Sequence, residues 1–184
     1  MVLGKWGIML HWFLSTLASL IHAASPILKS YGLPALVALL FIESAGVIFA
    51  PGEAMVVAAG FLAAKGLFPI WLVLPLAMLA ATLGGYAAYG LGGRYGHKAL
   101  LRYGGYVGIR PPMVDKAHGF FHRFGAPVVL VGRFIVPLRQ LQGYLAGASE
   151  MGFQAFATWS AIGAVLWVAA WGGGAFWLAQ KIPG

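Results

Sequence analysis

Four charged residues sit where an apolar chain tolerates them least. Glu43 and Glu53 are the only charges between Lys29 and Lys65, and Arg133 and Arg139 are the only charges between Arg123 and Glu150. Each pair spans a proline, Glu43…Pro51-Gly52-Glu53 in the first segment and Arg133…Pro137…Arg139 in the second. A charge at the centre of a spanning helix costs roughly 2.5–3.5 kcal/mol. Four of them unpaired would cost about 10–14 kcal/mol on that scale. Two chemistries suit these residue types. Arginine presents a planar fork of donors that fits a phosphate. A carboxylate in a low-dielectric cavity has raised proton affinity, which makes Glu43 and Glu53 candidate proton carriers. Opposite charges also pair, which lowers the burial penalty. The competing reading is that the four residues only staple the structure together.

The surrounding chain decides which environment those charges occupy. Of its 184 residues, 61% are apolar or aromatic and only 9% are charged. Soluble domains average about 25% charged, so this is a polytopic membrane protein. The apolar stretches are continuous, without the alternation of a barrel strand, so helices follow. There is no hydrophilic stretch long enough for a second domain, and residues 1–184 read as one unit. Net charge is +8, and Arg94, Lys98, Arg102, Arg110, Lys116 and Arg123 crowd one stretch against Asp115 alone. Positive-inside topology and contact with anionic headgroups explain that stretch better than nucleic acid, which is excluded as a partner. Cysteine is absent, which rules out disulfides, thiolate catalysis and zinc–cysteine sites.

The elements that must position the four charges form a pattern. Trp6 to Ala24 reads as a retained membrane or interfacial helix. A cleavable leader ending at His22-Ala23-Ala24-Ser25 is the less favoured alternative. Leu33 to Ala64 is apolar but interrupted at Gly46, Pro51, Gly52 and Gly60, which fits a helix–break–helix hairpin. Leu67 to Leu91 is an uncharged span ending in small and aromatic residues. Its glycines are read as close helix packing. The basic stretch lies on the surface, with an amphipathic helix from Met113 to Phe124. There His118 and His122 stand four apart, but no accompanying acids point to a metal. Phe124 to Gly147 repeats the broken plan with Pro127, Pro137, Gly143 and Gly147. Met151 to Gln180 is a final, tryptophan-rich span with a kink site at Gly172-Gly173-Gly174.

Broken hairpin followed by span thus occurs twice, at about 31–93 and about 113–180. Paired Gly/Pro-interrupted segments in two halves of a chain point to a substrate site between repeats. A single span between the hairpins makes the repeats inverted. With the basic stretch cytoplasmic, the first hairpin dips from the outer face and the second from the inner face. Glu43 and Glu53 would then meet Arg133 and Arg139. The expected fold is an all-α membrane protein: an inverted repeat of two re-entrant helical hairpins, each followed by a transmembrane helix, plus N-terminal and amphipathic helices.

Several of these residues also resemble a known family, the DedA or VTT-domain membrane proteins. The resemblance covers about residues 33–167. It runs through Glu43, Pro51-Gly52-Glu53, Ala59-Gly60, Tyr89 and Gly93-Arg94-Tyr95-Gly96. It continues through Phe124-Gly125, Gly132-Arg133-Phe134, Pro137-Leu138-Arg139 and Ala146-Gly147. One departure stands out: the family commonly has Gly-Asp where this chain has Gly84-Gly85. The resemblance implies two opposed re-entrant hairpins and multi-pass residence in the bacterial inner membrane. It also implies translocation of a lipid such as undecaprenyl phosphate, dependent on proton motive force. It carries essential acids onto Glu43 and Glu53 and essential arginines onto Arg133 and Arg139. The expected partners are membrane lipids, undecaprenyl phosphate or phospholipid headgroups, with room for a homodimer. No catalytic residue, cofactor or metal is expected. The alternatives are a passive phospholipid scramblase and a non-transporting scaffold.

Overall fold

A computed structural model describes residues 3–47, 50–103, 119 and 127–181, and no strand occurs among them. The helices are α1 (Leu3–Ser44), α2 (Gly52–Ala64), α3 (Ile70–Tyr103), α4 (Pro127–Gly132), α5 (Val136–Ala148), α6 (Phe153–Val168) and α7 (Gly174–Lys181). A π-helical turn, Ala169–Gly173, joins α6 to α7. Among the described residues, three stretches are long and apolar enough to cross a membrane: Ala18–Ser44, Ile70–Gly96 and Phe153–Lys181. Large apolar side chains such as Tyr31, Trp71, Leu79 and Trp177 are exposed, as suits helices whose solvent is lipid.

Two expected boundaries move. The first helix does not stop at Ala24. α1 runs to Ser44, kinked at Gly32, whose φ of 65° and ψ of −155° are non-helical. Glycine takes that conformation without a Cβ penalty. Pro34, two residues on, sits where the second half restarts and needs no intrahelical partner for its missing N–H. The uncharged span does not end at Leu91 either. α3 carries on through Arg94 to Tyr103, so the basic stretch begins as helix, with Arg94 exposed on it. Lysine and arginine are good helix formers and favour the last turns of a helix. The amphipathic helix expected over Met113–Phe124, with His118 and His122, lies outside the described residues apart from Gly119.

Helix–break–helix occurs at both proline-marked places. The first break separates Ser44 from Gly52, and the second comprises Arg133, Phe134 and Ile135 between α4 and α5. At the first, Gly46 (φ 103°) ends the helix. Its N–H bonds to the Glu43 carbonyl at 2.9 Å, and the Val47 N–H bonds to the Ile42 carbonyl at 3.2 Å. That is a Schellman turn, which satisfies carbonyls of the last turn. At the second, Pro137 occupies the first turn of α5, where a proline is tolerated. α2 and α5, which follow the breaks, are each 13 residues long.

The chain packs as two compact units. The first is Met1–Leu39, Pro51–Ala77 and Val168–Gly184; the second is Leu40–Ala50 and Met78–Trp167. In the first, Val57 and Ala175 form a core with Leu20, Ile21, Trp171 and Leu178 around them. α2 and the π-turn meet backbone to backbone there. A Cβ on Gly60 would overlap the Gly172 carbonyl oxygen. In the second, Val129, Ala146 and Phe156 pack with Tyr86, Tyr89, Met151 and Trp159. The Tyr89 ring stacks on Phe156 at 4.8 Å, and its hydroxyl donates to the Met151 carbonyl. α3 and α5 approach as closely as small residues allow. A Cβ on Gly143 would stand 2.6 Å from the Ala88 Cβ, and one on Gly147 would stand 2.7 Å from the Gly93 nitrogen.

Candidate functional site

Among the described residues, the buried polar and charged side chains are Glu43, Arg133, Arg139, Gln140, Gln142 and Ser160, all within the second unit. The folding of the two breaks explains how they come together. The Schellman turn after α1 leaves Glu43 in that helix's last turn. An acid is poorly placed beside the negative end of a helix dipole. Its compensation comes from α5, where Arg139 follows one turn after the break. Arg139 Nη2 donates to Glu43 Oε1 at 2.6 Å, and both side chains are buried. The Arg139 guanidinium also lies 4.7 Å from the centre of the Trp167 ring. A cation over an indole face is attracted by the ring quadrupole.

Arg133 is held differently. It stands in the second break and is 2% exposed. Nη2 donates to the Ala81 carbonyl at 2.8 Å, and Nη1 donates to the Ser160 carbonyl at 3.2 Å and to Ser160 Oγ at 3.1 Å. All these partners are neutral. No described carboxylate pairs with Arg133, and its Nε has no hydrogen-bond partner. Two glycines flank it. A Cβ on Gly163 would lie 3.2 Å from Arg133 Cδ; one on Gly85 would lie 3.8 Å from Arg133 Nη1 and 3.1 Å from Ser160 Oγ. A second buried atom without a partner, Gln142 Oε1, sits on α5.

The residues singled out by sequence therefore divide. Glu43, Arg133 and Arg139 share the second unit, and Glu43 and Arg139 form an ion pair. Glu53 belongs to the first unit, half-buried in the first turn of α2, where its charge suits the helix N-terminus. Ser160 and Trp167 contact the arginines without any charge to mark them. Their signal was positional: Ser160, Gly163 and Trp167 fall three and four apart on α6, on one helical face. The same spacing joins Ala81 and Gly85 on α3. Among the described residues no cluster of His, Asp and Glu could hold a metal.

The arrangement offers a buried cation with spare hydrogen-bonding capacity beside a second cation already neutralised by an acid. The first has an unsatisfied donor of the kind an anion would take. The second is bonded to an acid that a proton can neutralise.

A family model for the VTT domain matches residues 50–174. An uncharacterized membrane protein of Mycobacterium leprae is 31% identical over 137 residues, covering 73% of this chain and 61% of that protein. Protein DedA of Escherichia coli K12 is 29% identical over 134 residues, covering 71% of this chain and 61% of its own length. An uncharacterized membrane protein of Synechocystis is 33% identical over 141 residues, covering 77% and 64%. The chain thus spans a little over three fifths of the length of these relatives. No solved structure matches it.

Proposed function

The chain belongs to the VTT-domain family of DedA-like membrane proteins, and on that premise we propose that it translocates a phosphate-bearing lipid across the bacterial inner membrane. Undecaprenyl phosphate is the specific substrate of this reading, and proton motive force drives it. The observation that carries the proposal is Arg133: a buried guanidinium with neutral partners and a free Nε is an anion receptor with capacity left over. Arg139 is the second phosphate ligand, available once Glu43 lets it go. Protonation of Glu43 weakens the pair and lets a phosphate compete for the Arg139 fork, so substrate binding and proton uptake act on one side chain. Glu53 is the second proton carrier of this reading, in the first unit. The two helix–break–helix segments act as opposed re-entrant hairpins of an inverted repeat, which lets non-helical backbone sit at membrane depth where protein lines it. The protein is a carrier in this reading, and the headgroup leaves unchanged.

Purified protein in vesicles, assayed for movement of a lipid phosphate under an imposed proton gradient, tests this. Arg133→Lys and Arg139→Lys keep the charge and lose the bidentate fork. We expect folded variants with translocation reduced by about tenfold or more, the order of one lost charge-assisted hydrogen bond. Glu43→Gln or Glu53→Gln should bind lipid phosphate and lose the pH dependence of its movement. Wild-type transport in both arginine variants rules out the phosphate site. Equal transport with and without the gradient indicates a passive scramblase. Released phosphate indicates an enzyme, and no movement of any lipid a scaffold.

A further inference from the structure

The first unit has a cleft that the transport reading does not use. It lies between α1, α2 and α7, with a volume of about 720 Å³, in the range of sites that take small organic ligands. Its wall is apolar where α2 and α7 supply it, through Phe61, Ala175, Leu178 and Ala179. α1 supplies Ile21 and then a polar edge of His22, Ser25 and Lys29. These three polar residues fall three and four apart, so they share one helix face. Among the described residues no carboxylate lines the cleft.

Lysines border it. Lys29 is part of the wall. The Lys65 ammonium lies over the Phe61 ring, 5.7 Å from its centre, and so stands at the edge that Phe61 forms. Both are exposed. The cleft therefore joins an apolar wall to a cationic edge.

We propose that this cleft is a binding site for an anionic membrane lipid, its acyl chain against Phe61, Ala175 and Leu178 and its headgroup between Lys29 and Lys65. Charge selects the occupant. A zwitterionic lipid offers the lysines no net charge, whereas an anionic headgroup meets two cations and, among the described residues, no competing acid. His22 and Ser25 add hydrogen-bond donors at the same edge. The site stands on the first unit alone and does not depend on Arg133 or Arg139 binding phosphate.

Crosslinking of the full chain in bilayer discs tests it. Phosphatidylglycerol and phosphatidylcholine, each carrying a photoreactive group on the acyl chain, are compared at equal mole fraction, and labelled peptides are mapped. A lysine near an anionic surface contributes about fivefold in binding. We expect phosphatidylglycerol to label the peptides holding Phe61 and Leu178 at least about tenfold more than phosphatidylcholine does. The double substitution Lys29→Gln, Lys65→Gln should bring the two lipids to parity while phosphatidylcholine labelling stays unchanged. Leu178→Trp, which fills the cleft and leaves the lysines, should lower labelling by both. Equal labelling by the two lipids in the wild-type chain overturns the proposal. So does a preference for phosphatidylglycerol that survives the double substitution.

Discussion

The two compact units solve the same packing problem with opposite materials. The first is held by apolar side chains and by glycine meeting glycine, Gly60 against Gly172. Among the described residues it buries no charged side chain. The second also brings helices together on glycine, at Gly143 and Gly147, yet it buries Glu43, Arg133 and Arg139 as well. Helix association in lipid runs on close backbone packing and does not require ions. The contrast teaches that the second unit's charges exceed what its packing requires. One unit could be built without buried charge, so the charges in the other are candidates for chemistry.

The largest effect should come from splitting the ion pair. Glu43→Ala takes away the acid that Arg139 bonds at 2.6 Å, and breaking a buried pair from one side costs roughly 3–5 kcal/mol. Replacing both partners, Glu43→Met with Arg139→Met, removes both charges together. An apolar pair of similar volume is often neutral or stabilising. Thermal unfolding in detergent should show a strongly destabilised Glu43→Ala and a double variant close to wild type. Lipid translocation should be absent from both. A double variant that is stable and still transports would reduce the pair to a staple, and the contrast between the units would lose its functional meaning.

The legibility of this site in the sequence follows the same division. Charges in an apolar chain announce themselves, so Glu43, Arg133 and Arg139 were found from residue type alone. The breaks that place them were marked by Pro51 and Pro137. The partners of Arg133 were not visible. Two of its hydrogen bonds go to the backbone carbonyls of Ala81 and Ser160, and a carbonyl is present at every residue. Gly85 and Gly163 leave space for the guanidinium and its stem, and in sequence such glycines look like the packing glycines at 84 and 92. Those two do serve packing: a Cβ on Gly84 would stand 2.7 Å from Ser44 Cβ, and one on Gly92 would stand 2.7 Å from Tyr144 Cα. The continuation of α3 past Leu91 was missed because charge signals surface exposure but does not disfavour helix. The π-turn at Ala169–Gly173 was anticipated only as a kink at its glycines.

A smaller effect separates the two glycine contacts. Gly60→Ala sets a methyl against the Gly172 backbone in the first unit; Gly147→Ala sets one against the Tyr89 and Gly93 backbone in the second. Backbone cannot swing aside as a flexible side chain can, and overpacking of this kind costs about 1–3 kcal/mol. Hydrogen exchange should locate the loosening. Gly60→Ala should raise exchange in α2 and the π-turn and leave α5 protected. Gly147→Ala should do the reverse. Uniform acceleration across the chain in both variants would mean that the two units do not respond independently.

The smallest change in stability, and the finest test of the charged unit, is at Gly85. A side chain added there points toward Arg133 Nη1 and close to Ser160 Oγ, whose hydroxyl can rotate by the few tenths of an ångström required. Asparagine and aspartate have nearly the same shape, so Gly85→Asn and Gly85→Asp share any steric cost, including the Ser160 adjustment. They differ in charge. Gly85→Asp gives Arg133 a resident carboxylate, while Gly85→Asn gives it only another neutral dipole of the kind it already has. A carboxylate against a buried guanidinium is a charge-assisted pair, so thermal stability of the aspartate variant should equal or exceed that of the asparagine variant. Affinity for a lipid phosphate should move the other way. The resident acid competes with the substrate for one fork, and binding by Gly85→Asp should fall about tenfold or more below Gly85→Asn, as expected for a charged hydrogen bond withdrawn from the ligand. Titration of both purified variants with a short-chain lipid phosphate measures the ratio. Equal affinities would mean that the charge on Arg133 is not what the substrate meets, and the second unit's arginine would then be as structural as the first unit's glycines.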